Sequence, residues 1–195
     1  MKLIKAAASI FIFSSLLSIE VLSLAWASFQ MPKEYPVAQV NLETVDNSSA
    51  ITVDEIQAIN REVEAVTAQG DVEGLLQYMA PFIISETITE SSHGFESVYI
   101  EGIEQHREVL TSFFNKAETE ETLNIQELSK KETIRVTPDG QMATAVISTV
   151  SEVFTSDELR LVTTTDTIRF ARLQDQIKVI FYTTDSQITS HDHQN

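Results

Sequence analysis

The feature that most constrains this chain is the stretch from Thr122 to Ser186, where four β-rich runs follow one another with only turns between them. The runs are Thr122–Val136, Gln141–Phe154, Glu158–Leu173 and Gln176–Ser186. They are rich in Val, Ile, Thr and Phe, which suit a pleated, half-buried surface. Pro138-Asp139-Gly140 forms the first turn, because Pro presets φ and Gly accepts a positive φ. Ser156-Asp157 and Gln174-Asp175 mark the other two. Long strands joined this tightly lie antiparallel. A sheet with one apolar face needs a cover, and the upstream chain must supply it.

Thr52-Val53-Asp54-Glu55 fits a capping box, with Thr52 as N-cap and Glu55 reaching back. Ile56, Ile59, Val63 and Val66 then recur at helical spacing, which predicts a helix over Asp54–Ala68. Gly70 ends it. Asp71 caps a second helix whose buried side is Val72, Leu75, Leu76 and Met79, with Pro81 at its exit. Ile84–Glu90 reads as a short strand, Ser91–Gly94 as a turn and Val98–Ile100 as a second extended piece. A third helix is expected over Ile103–Ala117, with the stripe Ile103, His106, Leu110, Phe113, Phe114 and Ala117. The acidic run Glu118–Glu121 reads as a solvated link. The class is therefore α+β: a curved antiparallel sheet of four long strands plus short strands, wrapped on three N-terminal helices.

The ends of the chain have a different character. Lys2 and Lys5 precede an apolar run from Ala6 to Ile19, and Ala25-Trp26-Ala27 is a small-x-small cleavage site. Residues 1–27 thus read as a secretory signal, and the expected location is periplasmic or secreted. An uncleaved anchor is the alternative, since apolar residues resume after Glu20. Residues 28–51 carry Pro32 and Pro36 with no sustained period and read as a flexible leader. The domain is expected over 52–186, and 187–195 as a disordered tail. At 195 residues the chain suits one domain of this kind.

A formal net charge of −16 argues against nucleic acid and against anionic membrane surfaces, both of which need Lys and Arg to neutralise phosphate. With no cysteine, disulfides and thiolate chemistry are excluded. Gly-rich phosphate loops, HExxH and GxSxG are absent, so no cofactor is expected. His191-Asp192-His193 offers two imidazoles but no third ligand, and no metal is expected.

The element order resembles the nuclear-transport-factor-2-like superfamily, including its SnoaL-like and ketosteroid-isomerase-like branches. The residues that carry the likeness are Ile56 to Gly70-Asp71, Leu75-Leu76 and Tyr78, then Ile84–Glu90, then Tyr99-Ile100-Glu101-Gly102 opening a helix that ends in Phe113-Phe114. The closing strands Ala143–Phe154, Leu159–Leu173 and Ile177–Thr184 complete it, over about Thr52 to Ser186. The resemblance implies a cone-shaped, cystatin-like fold with a pocket at its open end. Some members are isomerases, hydrolases or dehydratases; others bind ligands, dimerise or serve as accessory domains. In the isomerases a general base ends the first short strand, a region that is Ser85-Glu86-Thr87 here. The family's Gly-x-Trp in the final hairpin is replaced by Gln176-Ile177-Lys178.

Three titratable residues are candidates for catalysis. Glu86 interrupts an apolar strand and would suit proton transfer if it faced a pocket; otherwise it is a solvent-facing strand residue. His106 falls on the apolar side of the third helix, as a pocket imidazole or a hydrogen-bonded core-edge one. Asp166 alternates with Val162, Thr164, Ile168 and Phe170. Its face is either inward, which makes it a site candidate, or an outer dimer seam, or a bulge turns it away. Tyr182, Tyr78, Phe82, Leu110, Phe113, Ile168 and Phe170 are the expected ligand-binding residues. Two function classes follow. One is a non-catalytic exported domain that binds a small apolar ligand or a protein partner. The other is a cofactor-independent lyase, isomerase or hydrolase. A homodimer is expected through the mildly polar set Leu159, Leu161, Thr163, Thr165 and Thr167.

Overall fold

The structure, a computed structural model, describes residues 50–92, 94–119, 124–154 and 159–191. The signal and most of the leader, the link residues 120–123, the Ser156-Asp157 turn and the last four residues lie outside these. The described order is α1 (Val53–Ala68), α2 (Val72–Leu76), β1 (Met79–Ser91), β2 (Gly94–Glu101), α3 (Gly102–Thr119), β3 (Asn124–Val136), β4 (Met142–Phe154), β5 (Leu159–Leu173) and β6 (Gln176–His191). The class is α+β, with one six-stranded sheet in the order β2-β1-β6-β5-β4-β3.

The capping box forms as its residue types dictate. The Glu55 N–H donates to Thr52 Oγ1 at 3.2 Å, and the Thr52 N–H donates to Glu55 Oε2 at 2.8 Å. Two orphan donors of the first turn are thereby satisfied. The chain already packs one residue earlier than the expected boundary. Ile51 is buried in the core, and its N–H donates to the Gly140 carbonyl at 2.8 Å. Gly140 holds φ +67°, and a Cβ there would come within 2.3 Å of the Ala50 Cβ. Asp139 Oδ1 pins the same turn by accepting from Thr137 Oγ1 at 2.5 Å and from the Gln141 N–H at 3.1 Å.

The sheet departs from expectation in three ways. It is mixed rather than wholly antiparallel, because β1 lies parallel to its neighbour β6. Parallel neighbours need a long crossover, and the chain from β2 to β5 supplies it between β1 and β6. Second, β1 is a strand of 13 residues and starts at Met79. Pro81 sits inside it, where the pairing with β6 breaks register between Met79 and Ile84. Pro lacks the N–H that a continuous ladder needs, so the irregularity falls there. β6 also runs through His191, past the Ser186 end expected from the pattern, because Gln187 pairs with Thr163 and Ile188 with Val162.

Pairing aligns inward side chains in transverse rows. Ala145, Ile168, Tyr182 and Ser85 occupy one row across β4, β5, β6 and β1. Two residues along lies the row Ile147, Asp166, Thr184 and Thr87. The core has two parts. Ile51 and Ile56 pack on Ala143, Ala145, Ile147, Ile168 and Phe170. Val63, Leu75, Leu76 and Leu110 form the second cluster between the helices.

Candidate functional site

Between these two clusters the helices stand off the sheet and leave a cavity of about 100 Å³. Its wall is mostly apolar. Val63 and Leu75 come from α1 and α2, Leu110 from α3, and Ile168 and Phe170 from β5. β1 contributes Ile83, Ser85 and Thr87, which are alternate residues on its inner face. His106 and Tyr182 supply the other polar atoms that the chemistry below uses.

His106 is 5% exposed. Its Nδ1 is 2.7 Å from the Gly102 carbonyl, one helical turn back. A carbonyl only accepts, so Nδ1 carries a proton in this pairing. In the neutral ring Nε2 is then an acceptor, and the Ser85 hydroxyl donates to it at 2.9 Å. Burial pushes the imidazole pKa down, against the smaller opposing effect of the Gly102 bond. The group is thus held neutral at pH 7, with one tautomer selected.

Asp166 is fully buried. Its Oδ1 accepts from the Tyr182 hydroxyl at 2.7 Å and lies 2.5 Å from Thr184 Oγ1. Thr184 Oγ1 and the Tyr182 hydroxyl are also 2.8 Å apart. Oδ2 has no partner. Burial pushes the carboxyl up to about 7, and the bonds from Thr184 and Tyr182 only partly oppose it. Near neutral pH the group therefore exchanges between acid and carboxylate, and Tyr182 connects it to the cavity.

Ser85 and Tyr182 are direct partners across β1 and β6. The two hydrogen-bonded systems, His106–Ser85 and Asp166–Tyr182–Thr184, consequently meet at neighbouring positions on the cavity wall. His106 and Asp166 themselves each bond elsewhere.

Of the two orientations its alternation left open, Asp166 takes the inward one: Val162, Thr164, Ile168 and Phe170 are all buried with it. Tyr182, Tyr78, Leu110, Ile168 and Phe170 line the cavity. Tyr78 also donates to Glu62 Oε2 at 3.0 Å. Three residues are placed elsewhere. Glu86 lies on the opposite face of β1 from Ser85 and Thr87 and accepts from Ser97 Oγ at 3.3 Å. A shift of one residue reverses a strand's faces, and the inward set is 83, 85 and 87. Phe82 is 43% exposed for the same reason. Phe113 is buried but lies outside the cavity wall, in edge contact with Phe114 at 5.3 Å between ring centres. Ser85 and Thr184 were not among the candidates. A serine at the alternate position of an apolar strand was the only signal for Ser85.

No family model matches this chain, and no curated protein does. Solved structures similar to it are NTF2-like, ketosteroid-isomerase-like and cystatin-like proteins. One is an NTF2-like protein of unknown function from Pseudomonas putida, at 12% identity and TM-score 0.48, covering 68% of this chain and 84% of that one. Another is an NTF2-like protein with a cystatin-like fold from Novosphingobium aromaticivorans, at 14% identity and TM-score 0.48, covering 68% and 79%. A ketosteroid isomerase-like protein from Erwinia carotovora gives 11% and 0.44, covering 67% and 92%. At such identities and scores these likenesses transfer no residue role and no activity.

Proposed function

We propose that this domain binds a small, largely apolar molecule bearing an oxygen, held in the cavity between helices and sheet, without converting it. The observation that carries this reading is the cavity wall: mostly apolar, with a few polar side chains, among them Ser85, bonded to His106, and Tyr182, bonded to Asp166 behind the wall. Small-molecule sites have this composition, a greasy body with a few polar atoms that fix orientation. The Ser85 hydroxyl donates to His106, and its oxygen can still accept from a ligand hydroxyl. The absence of turnover is supported by the separate bonding of imidazole and carboxylate, which leaves neither aimed at the other as a proton-transfer pair.

Thermal denaturation of the full chain against a panel of apolar alcohols and ketones tests the proposal. A ligand present at a hundred times its Kd is expected to add about 2.7 kcal/mol of stability and raise the midpoint accordingly. A panel without any shift counts against the reading. Recovery of the ligand after incubation decides the alternative. That alternative is a cofactor-independent lyase, isomerase or hydrolase, favoured by a carboxyl with a pKa of about 7. Were the ligand chemically altered, Asp166→Asn and His106→Ala would each be expected to cut the rate by roughly a hundredfold.

Export belongs to the same proposal, on the Lys2/Lys5, apolar-run and Ala25/Ala27 pattern. The chain isolated from its host is expected to begin at Ser28 by mass spectrometry. An intact Met1 in a cytoplasmic fraction would remove this part.

A further inference from the structure

Five polar side chains of the cavity wall turn their donors the same way. Thr67 Oγ1 donates to the Val63 carbonyl at 2.7 Å, and the Tyr78 hydroxyl to Glu62 Oε2 at 3.0 Å. The Tyr182 hydroxyl donates to Asp166 Oδ1 at 2.7 Å, and Asn60 Nδ2 to Glu132 Oε1 at 2.7 Å. Ser85 is the fifth, and its direction is imposed by His106. The Gly102 carbonyl, 2.7 Å from Nδ1, takes the one proton of the neutral ring. Nε2, 2.9 Å from Ser85 Oγ, is left as an acceptor, so the Ser85 proton must point at it. All five side chains line the cavity, yet each of these donors is spent on the protein. Thr87, two residues from Ser85 along β1, is the other hydroxyl of the wall.

We propose that His106 makes Ser85 an obligate acceptor, and that the cavity therefore takes an apolar alcohol in preference to the ketone of the same carbon skeleton. The inference rests on the binding function proposed above and names the class of ligand. A hydroxyl that is free to rotate serves donors and acceptors alike. One whose proton is claimed offers only lone pairs. An alcohol can donate to that oxygen. A carbonyl brings a second set of lone pairs against it, and both oxygens then lose water without gaining a bond. His106 is thus a positioning residue: it acts on the ligand through the Ser85 hydroxyl.

The test compares cyclopentanol with cyclopentanone by titration of the full chain. An apolar cavity of about 150 Å³ holds benzene, so a five-membered ring suits one of about 100 Å³. The alcohol is expected to bind at least about tenfold more tightly, the scale set by leaving a buried polar group unpaired. His106→Phe keeps a ring and removes both nitrogens, which frees the Ser85 proton. In that variant the ratio of the two affinities should fall to about two or less. A ratio that stays near tenfold in the folded variant overturns the role of His106. The imidazole tautomer is a second measurement and needs no variant. Nitrogen-15 shifts of the parent should show a neutral His106 ring protonated at Nδ1; protonation at Nε2 reverses the Ser85 hydroxyl and overturns the inference. Equal affinity of alcohol and ketone for the parent, as would follow from a Thr87 hydroxyl that donates to the carbonyl, overturns it while leaving the cavity reading standing. Failure of both rings to bind also overturns it, and only an empty ligand panel in addition removes the cavity reading itself.

Discussion

Replacing Phe170 by alanine is expected to cost about 3–5 kcal/mol of folding stability. Phe170 is 1% exposed and belongs to the cluster that joins α1 to the sheet. It also lines the cavity, so truncation enlarges a space that already exists. Its neighbours cannot collapse into that space, because β4 and β6 hold β5 by main-chain pairing on both sides. The full cavity cost is then felt, in addition to the lost transfer energy. Urea denaturation measures the difference. Phe82→Ala is the control: the residue type is the same, but its ring is 43% exposed and the change should cost less than about 1 kcal/mol. Equal losses at the two positions would contradict the assignment of faces along β1 and β5.

The second large effect concerns pH. Asp166 has its carboxyl raised from 3.8 to about 7 by burial. Between those values the folded chain binds more protons at this group than the unfolded chain does, so stability falls as pH rises. The contribution is fully present below about pH 4 and is lost as pH passes through about 7. It amounts to something on the order of a few kcal/mol. His106 acts in the opposite sense. Its pKa is lowered from 6.5, so its contribution is complete above 6.5 and is lost as pH falls through the lower folded value. Asp166→Asn removes the first dependence and keeps the Oδ1 acceptor for Tyr182 and Thr184. The variant should therefore be more stable than the parent at pH 8, with its advantage shrinking or reversing at pH 4.5. Thermal midpoints across pH 4.5–8 provide the check. Curves for parent and variant that run parallel would show that Asp166 does not titrate in this range.

Much of this protein is determined locally. The capping box at Thr52 needs only residues 52 and 55, and the turn at Gly140 needs only Pro, Asp and Gly in order. The alternation of β5 follows from a period of two, which puts Asp166 on one face with Val162, Thr164, Ile168 and Phe170 but leaves that face either inner or outer. α3 likewise places His106 above Leu110 by helical spacing alone. Sequence periodicity therefore determined the α+β class and the imidazole on the apolar side of its helix, and it left the direction of the Asp166 face to the tertiary structure.

What the tertiary structure decided is everything that depends on contacts distant along the chain. In β1 both alternating sets contain apolar residues, so the period of two did not say which set faces in. The pairing with β6 decided it, and selected Ser85 over Glu86 and turned Phe82 to solvent. The bond from Ser85 to His106 spans 21 residues, and the one from Thr184 to Asp166 spans 18. The alignment of Ala145, Ile168, Tyr182 and Ser85 spans four strands, in an order that the chain does not follow. Residue types allow each of these contacts, but only the burial of both partners at once selects them, and that selection is made when the sheet closes against α1 and α3.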